Sequence, residues 1–251
     1  MPVDPAILQV ILVLFVATLV RSAFGFGEAL IAVPLLALTM PVKEAAPLAV
    51  LVSITIAFVI LLQDWRLVHF RSAGWLVLFT LMGIPLGLLL LRTVSESAVK
   101  AILAVIIIAF SAHALLSRRK HELKDDRFAW FFGFNAGILG GAYGMNGPPL
   151  AIYGALRRWT PEYFRATLQA YFLPASVAGM AGYAMAGLWT PAVNHFYFFS
   201  LPGVLLASFL GRILNRRMQA SRFISFVYIG LTAIGVVLLL QAIQGWSKIM
   251  L

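Results

Sequence analysis

The stretch Arg21-Ser-Ala-Phe-Gly-Phe-Gly-Glu-Ala-Leu-Ile-Ala-Val-Pro34 puts an arginine, a glutamate and two glycines inside an otherwise apolar run. A charge at the centre of a membrane helix costs roughly 2.5–3.5 kcal/mol on insertion scales, so a residue kept there is a functional candidate. A related break recurs in the second half, at Gly140-Gly-Ala-Tyr-Gly-Met-Asn-Gly-Pro-Pro149. Two broken apolar segments at corresponding places in two halves are the sequence pattern of a membrane carrier's binding site.

Working outward, the composition fixes the class. Of 251 residues, 62% are hydrophobic and 11% charged, with a mean hydropathy of +0.95. Soluble domains carry about 25% charged residues, so the chain reads as an integral membrane protein with the lipid bilayer as its solvent. Its net charge of +10 does not indicate nucleic acid, because Lys and Arg fall in short loops between apolar runs, where they act as topology signals. Cysteine is absent, which excludes a disulfide framework and thiolate metal sites. The histidines His69, His113, His121 and His195 show no metal-ligand spacing. The first apolar run lacks a basic leader and a small-residue cleavage site and is read as mature protein.

Residues 6–22 form the first apolar segment and 28–40 a second. Thirteen helical residues span about 20 Å, short of the roughly 30 Å hydrocarbon core. The two segments therefore read as a re-entrant hairpin or a pair of part-helices. Full spans follow at about 44–63, 72–91 and 98–117; a second broken segment covers 128–158, and further spans lie at about 163–186, 192–214 and 222–245. Gly25 matches Gly144 at an offset of 119, and Gly87–Arg92 resembles Gly211–Arg216 at an offset of 124. The expected fold is an all-α integral membrane protein of two inverted repeats, each a broken or re-entrant helical hairpin followed by three transmembrane helices. Residues 1–117 form the first repeat, 118–127 a basic cytoplasmic linker, and 128–251 the second repeat.

Loop charge sets the expected handedness. If each broken element enters and leaves by one side, fourteen of the nineteen Lys and Arg residues share a single face. That face holds Arg66, Arg71, the 118–127 cluster, Arg157, Arg158, Arg165, Arg212, Arg216, Arg217 and Arg222. The positive-inside rule prefers this arrangement, which leaves both termini outside.

A broken membrane helix leaves unpaired backbone groups, tolerated only where they line a cavity or meet a ligand. Helix N-termini offer N–H donors and partial positive charge to anions. The turns at Gly25–Gly27 and Gly144–Gly147 each open a new part-helix, so a facing pair of them makes an anion site. Alternatively, the glycines serve tight helix packing. Arg21 has a fork suited to oxyanions, or else snorkels to an interface. Glu28 is a cap, a partner for Arg21, or a proton carrier. Asn146 stands in the second turn. Asn135 and Gln169 are polar residues within spans, either glue or ligands, and Tyr143 and Tyr171 offer hydroxyls. No catalytic constellation, Walker A sequence or carboxylate pair occurs, so the chain is not read as an enzyme and no cofactor is expected.

Gly25–Pro34, Gly140–Pro149 and the segment Pro161-Glu-Tyr-Phe-Arg-Ala-Thr-Leu-Gln-Ala-Tyr-Phe172 together resemble the TauE/SafE sulfite-exporter family. The resemblance implies secondary transport of small sulfur-containing anions, sulfite or organosulfonates such as sulfoacetate. It implies that Gly25, Gly27 and Glu28 from one half, and Gly144, Asn146 and Gly147 from the other, hold the substrate. Arg21, Tyr143 and Gln169 complete the candidate set. Met145-Asn146 stands where members of that family often carry further glycine. A multi-pass protein of the cell membrane is expected. The expected partners are the anion and the bilayer, with a coupling ion (proton or sodium) and a homodimer both open. Transport of another small anion such as a carboxylate, or passive conduction, remains the alternative.

Overall fold

A computed structural model describes residues 5–116, 122–215 and 220–247. Arg118, Arg119, Lys120, His121, Arg216, Arg217, Lys248 and the side chain of Arg222 lie outside what is described. The described residues are helical, with no strand among them. The first half contributes α1 (Pro5–Phe24), α2 (Glu28–Leu36), α3 (Val42–Asp64), α4 (Phe70–Thr93) and α5 (Glu96–Leu116). The second contributes α6 (Ala129–Tyr143), α7 (Gly147–Leu156), α8 (Pro161–Met185), α9 (Pro191–Asn215) and α10 (Ala220–Ser247). Each half is thus a broken pair followed by three long helices, in the expected order. Among the described residues, five segments are long and apolar enough to cross a membrane: Ile7–Phe24, Val42–Leu67, Phe70–Thr93, Glu96–His113 and Pro191–Leu214.

Each broken pair folds back on itself. The Gln9 amide, near the start of α1, donates to the Thr39 hydroxyl just beyond α2, at 3.2 Å. At the mouth of the second pair, the Leu123 N–H donates to the Leu156 carbonyl at 2.9 Å, and Arg157 donates to the Leu123 carbonyl at 3.2 Å. The two ends of each pair therefore lie side by side. The first broken segment is thus two helices folded back on each other, of which the first, unlike the second, is long enough to cross a membrane.

The breaks come from glycine. Gly25 and Gly27 sit at φ +86° and +103°, and Gly144 at φ +66°, a left-handed region that side-chain-bearing residues enter only with strain. Other glycines act differently. Gly83 and Gly87 of α4 lie directly against the backbone of Phe134, Gly137, Ile138 and Gly141 of α6, so the two helices run parallel at backbone contact. Such close approach supplies the van der Waals packing that holds membrane helices together where no hydrophobic force acts between them. α1 packs in parallel on α9, with Gly211 against the backbone of Leu19 and Ala23 and Gly203 beside the side chains of Ile11 and Phe15. α3 packs on α8 and α5 on α10.

These contacts put α3 inside the bundle and leave α4 and α9 at its edge. Leu78, Leu81, Met82, Leu86 and Leu89 of α4, and Phe198, Phe199, Leu205, Leu206 and Phe209 of α9, are exposed. In a bilayer these side chains meet acyl chains. The centre holds Leu14, Ala17, Leu48, Val52 and Ile56, together with every polar group of the site below.

Candidate functional site

Arg21 lies in the last turn of α1, four residues before Gly25 ends the helix, and it is 2% exposed. Its side chain is turned into the bundle and not out to the protein surface. Its Nη1 donates to Glu28 Oε2 and, at 2.6 Å, to Ser53 Oγ; its Nη2 donates to Gln169 Oε1 at 2.8 Å. The guanidinium also lies over the Phe172 ring, 4.6 Å from its centroid. Because Ser53 is half-way along α3, the charge sits half-way through the bundle.

Glu28 opens α2, where the helix dipole favours a carboxylate, and its salt bridge to Arg21 closes the break from the other side. Gln169 of α8 completes the frame by donating from Nε2 to the Gly25 carbonyl at 2.7 Å. That carbonyl would otherwise be an orphan at a helix end. The Ser176 hydroxyl donates to Ser53 at 3.1 Å. Removing two charges from water is costly unless geometry and added hydrogen bonds compensate, and this frame supplies them. Two atoms are nonetheless left over: Arg21 Nε and Glu28 Oε1 are buried without a hydrogen-bond partner.

The second break builds a neutral counterpart. Asn146 Nδ2 donates to the Tyr171 hydroxyl at 3.1 Å; Tyr171 and Thr80 share a hydrogen bond of 2.7 Å, and Thr80 donates to the Gly133 carbonyl at 2.8 Å. Asn146 donates from Nδ2 and caps no backbone N–H with its oxygen, so α7 has no side-chain cap, and neither does α2. Pro148 and Pro149 also remove two of the N–H donors that the first turn of α7 would offer. The N-terminus of α7 is thus a sparser anion cradle than a helix start alone suggests.

The two turns approach each other at Phe26, whose ring lies beside Gly147. The structure therefore gathers Arg21, Gly25, Glu28 and Gln169 into one hydrogen-bonded cluster. Gly27 caps α2, and Gly144, Asn146 and Gly147 form the adjoining turn. Tyr143 is separate: its hydroxyl donates to the Val99 carbonyl at the start of α5. Asn135 bonds the Phe131 carbonyl of its own helix, away from either turn. His69 stacks on Trp159 and His195 lies against Phe199. Ser53, Phe172 and Ser176 at Arg21, and Thr80 at Tyr171, were not among the sequence candidates. The signal for two of them was available, since Ser53 and Ser176 are 123 positions apart, within the offsets relating the two halves.

At the mouth of the second hairpin, Asp126 accepts from Ser72 at 2.8 Å and from Tyr153, with Arg157 3.5 Å away. Burial pushes its carboxyl up, but those two hydrogen bonds and the Arg157 and Arg71 charges outweigh it and hold the group below its ordinary value.

A probable sulfite/organosulfonate exporter TauE of Cupriavidus necator is 27% identical over 187 residues, which cover 73% of this chain and 71% of that protein. No solved structure matches the chain. The family model for the sulfite exporter TauE/SafE matches residues 10–238, nearly the whole bundle and both broken hairpins, and the chain belongs to that family of membrane transporters.

Proposed function

We propose that this protein is a secondary transporter of the cell membrane that exports small sulfur-containing anions, sulfite or organosulfonates of the sulfoacetate kind. The observation that carries this reading is Arg21, a buried guanidinium at a helix break half-way through the bundle of a transporter-family chain. Intramembrane charges of this sort mark substrate pathways, and a guanidinium fork suits an oxyanion. Export and the sulfur chemistry rest on the name of the Cupriavidus relative.

The substrate lies between the two glycine turns, held by Arg21, Glu28 and Gln169 on one side and by Asn146 and Gly147 on the other. Access alternates as one repeat moves against the other. The inverted repeat is supported by the matched packing of α1 on α9 and α6 on α4, and by the Ser53–Ser176 bond between corresponding residues. Re-entrant hairpins with both mouths on opposite faces agree with the loop-charge count, which puts residues 118–127 in the cytoplasm and both termini outside.

Flux in liposomes tests the reading. Saturable uptake of sulfite or sulfoacetate, stimulated by the same anion on the far side, is expected. Ohmic current instead of saturable exchange identifies a channel, and transport of carboxylates alone removes the sulfur assignment. A single cysteine at Asn146, free of background in a chain without cysteine, is expected to be protected by the transported anion.

A further inference from the structure

We infer that Glu28 is the coupling site for a proton, and that substrate and proton enter together because the anion displaces Glu28 from Arg21. The inference rests on the functional reading above and adds its ion.

The charge count leads to it. The site holds one cation, Arg21, and one anion, Glu28, in direct contact. Empty, it is neutral. An anion that takes the guanidinium leaves the Glu28 carboxylate without its partner in the middle of the bundle, and the site carries a net charge of −1. A buried charge without partner or compensating hydrogen bonds neutralises by exchanging a proton. The carboxylate has an oxygen ready for it, since Glu28 Oε1 is buried and bonded to nothing. Arg21 is equally ready for the anion. Its Nε is buried and unbonded, while Ser53 and Gln169 keep the rest of the fork in place as Glu28 leaves.

The balance is simple. One proton from the aqueous side forms an O–H bond on the Glu28 carboxylate, and one monoanion replaces that carboxylate at Arg21. The loaded site is neutral again, so a monoanion crosses electroneutrally with its proton, and export runs where the outward gradient of the anion exceeds the inward gradient of the proton.

No other group contests the role among the described side chains. α2 packs on α1, α3, α5, α7 and α10. From α1 the only charge is Arg21. α3 offers Ser53 at this level, with Lys43, Glu44 and Asp64 at its ends. α5 brings Glu96 and Lys100 near Leu38, beyond the far end of α2. α7 brings only the Tyr153 phenol, which is bonded to Asp126, and no described side chain of α10 is charged. On α8, Arg165 lies against Gly25 and pairs with Asp64 at 3.5 Å, and Tyr171 is bonded to Thr80 and Asn146.

Titration calorimetry of the purified protein in buffers of different ionisation enthalpy measures protons taken up per anion bound. Methanesulfonate and sulfoacetate serve as probes because sulfonates bring no titrating proton near neutral pH. About one proton per methanesulfonate bound is expected, falling to none in Glu28→Gln. In liposomes, an imposed pH gradient is expected to drive wild-type methanesulfonate uptake, while a potassium diffusion potential leaves its rate unchanged. Binding without proton uptake, or uptake that follows voltage and ignores the pH gradient, overturns the coupling and leaves the transport reading intact. Binding of neither sulfonate, nor of sulfite, overturns the transport reading and the coupling with it. Should Glu28→Gln fail to insert, the wild-type proton count decides alone.

Discussion

Gln169 and Gly25 hold the first helix break shut from outside it: the Gln169 amide donates to the Gly25 carbonyl at 2.7 Å while its own carbonyl accepts from Arg21 at 2.8 Å. One side chain of the second half thus satisfies both ends of a discontinuity in the first. Replacing Gln169 with Ala orphans a buried carbonyl and an N–H of the guanidinium, at a cost of about 1–3 kcal/mol for each group. Thermal unfolding in detergent is expected to show the loss. Gln169→Glu keeps the shape but adds a second carboxylate beside Arg21, so anion flux is expected to fall well below wild type. Unchanged flux in Gln169→Glu removes Arg21 from the substrate site.

Tyr171 links Asn146 of the second turn to Thr80 of α4. Tyr171→Phe keeps the ring and deletes both bonds. Interhelical hydrogen bonds in membranes contribute about 0.6–1.7 kcal/mol, so a modest fall in unfolding temperature is expected. A larger effect on anion affinity than on stability would identify Asn146 as a ligand set in place by Tyr171. Equal effects would make the network architectural.

Gly137 of α6 lies against the Thr80 carbonyl and Gly83 of α4. A side chain there has nowhere to go, because its neighbours are backbone. Gly137→Val is expected to destabilise by about 1–3 kcal/mol or more through overpacking, read as a loss of monodisperse protein on extraction. Gly179, which faces open space, is the control: Gly179→Ala is expected to be neutral.

Asp126 gives the fold a pH dependence at one hairpin mouth. Its carboxyl is held below the ordinary value in the fold, so its contribution is complete above the ordinary carboxylate range and is lost as pH falls through the folded value. Unfolding temperature measured against pH is expected to separate wild type from Asp126→Asn near neutrality. The two curves are expected to converge in strong acid. A constant gap across the range would assign the effect to packing.

Much of this was legible from residue types. Both breaks and the long helices follow from apolar length and glycine, and the helix ends fall within a few residues of expectation. What sequence left open was the fate of each polar group. Arg21 and Glu28 stand seven positions apart across a turn of two left-handed glycines, and only the turn's geometry brings them into contact. Ser53 and Ser176 look like ordinary hydroxyls in apolar runs, able to bond their own helices, until α3 and α8 pack together. Glycine itself is ambiguous. The same letter bends the chain at Gly25 and Gly144, yet at Gly83 and Gly137 it lets two backbones touch.

The polar burden of α8 has a consequence for how the chain is made. This helix carries Arg165, Thr167, Gln169, Tyr171 and Ser176, and it is absent from the five segments apolar enough to cross by themselves. Its partners Arg21, Ser53 and Thr80 all lie earlier in the chain and leave the ribosome first. α8 is therefore expected to enter the bilayer against a first half already in place, and a reporter fused behind α8 alone is expected to stay on the side of synthesis. Efficient insertion of the isolated helix would show that the order of synthesis does not matter.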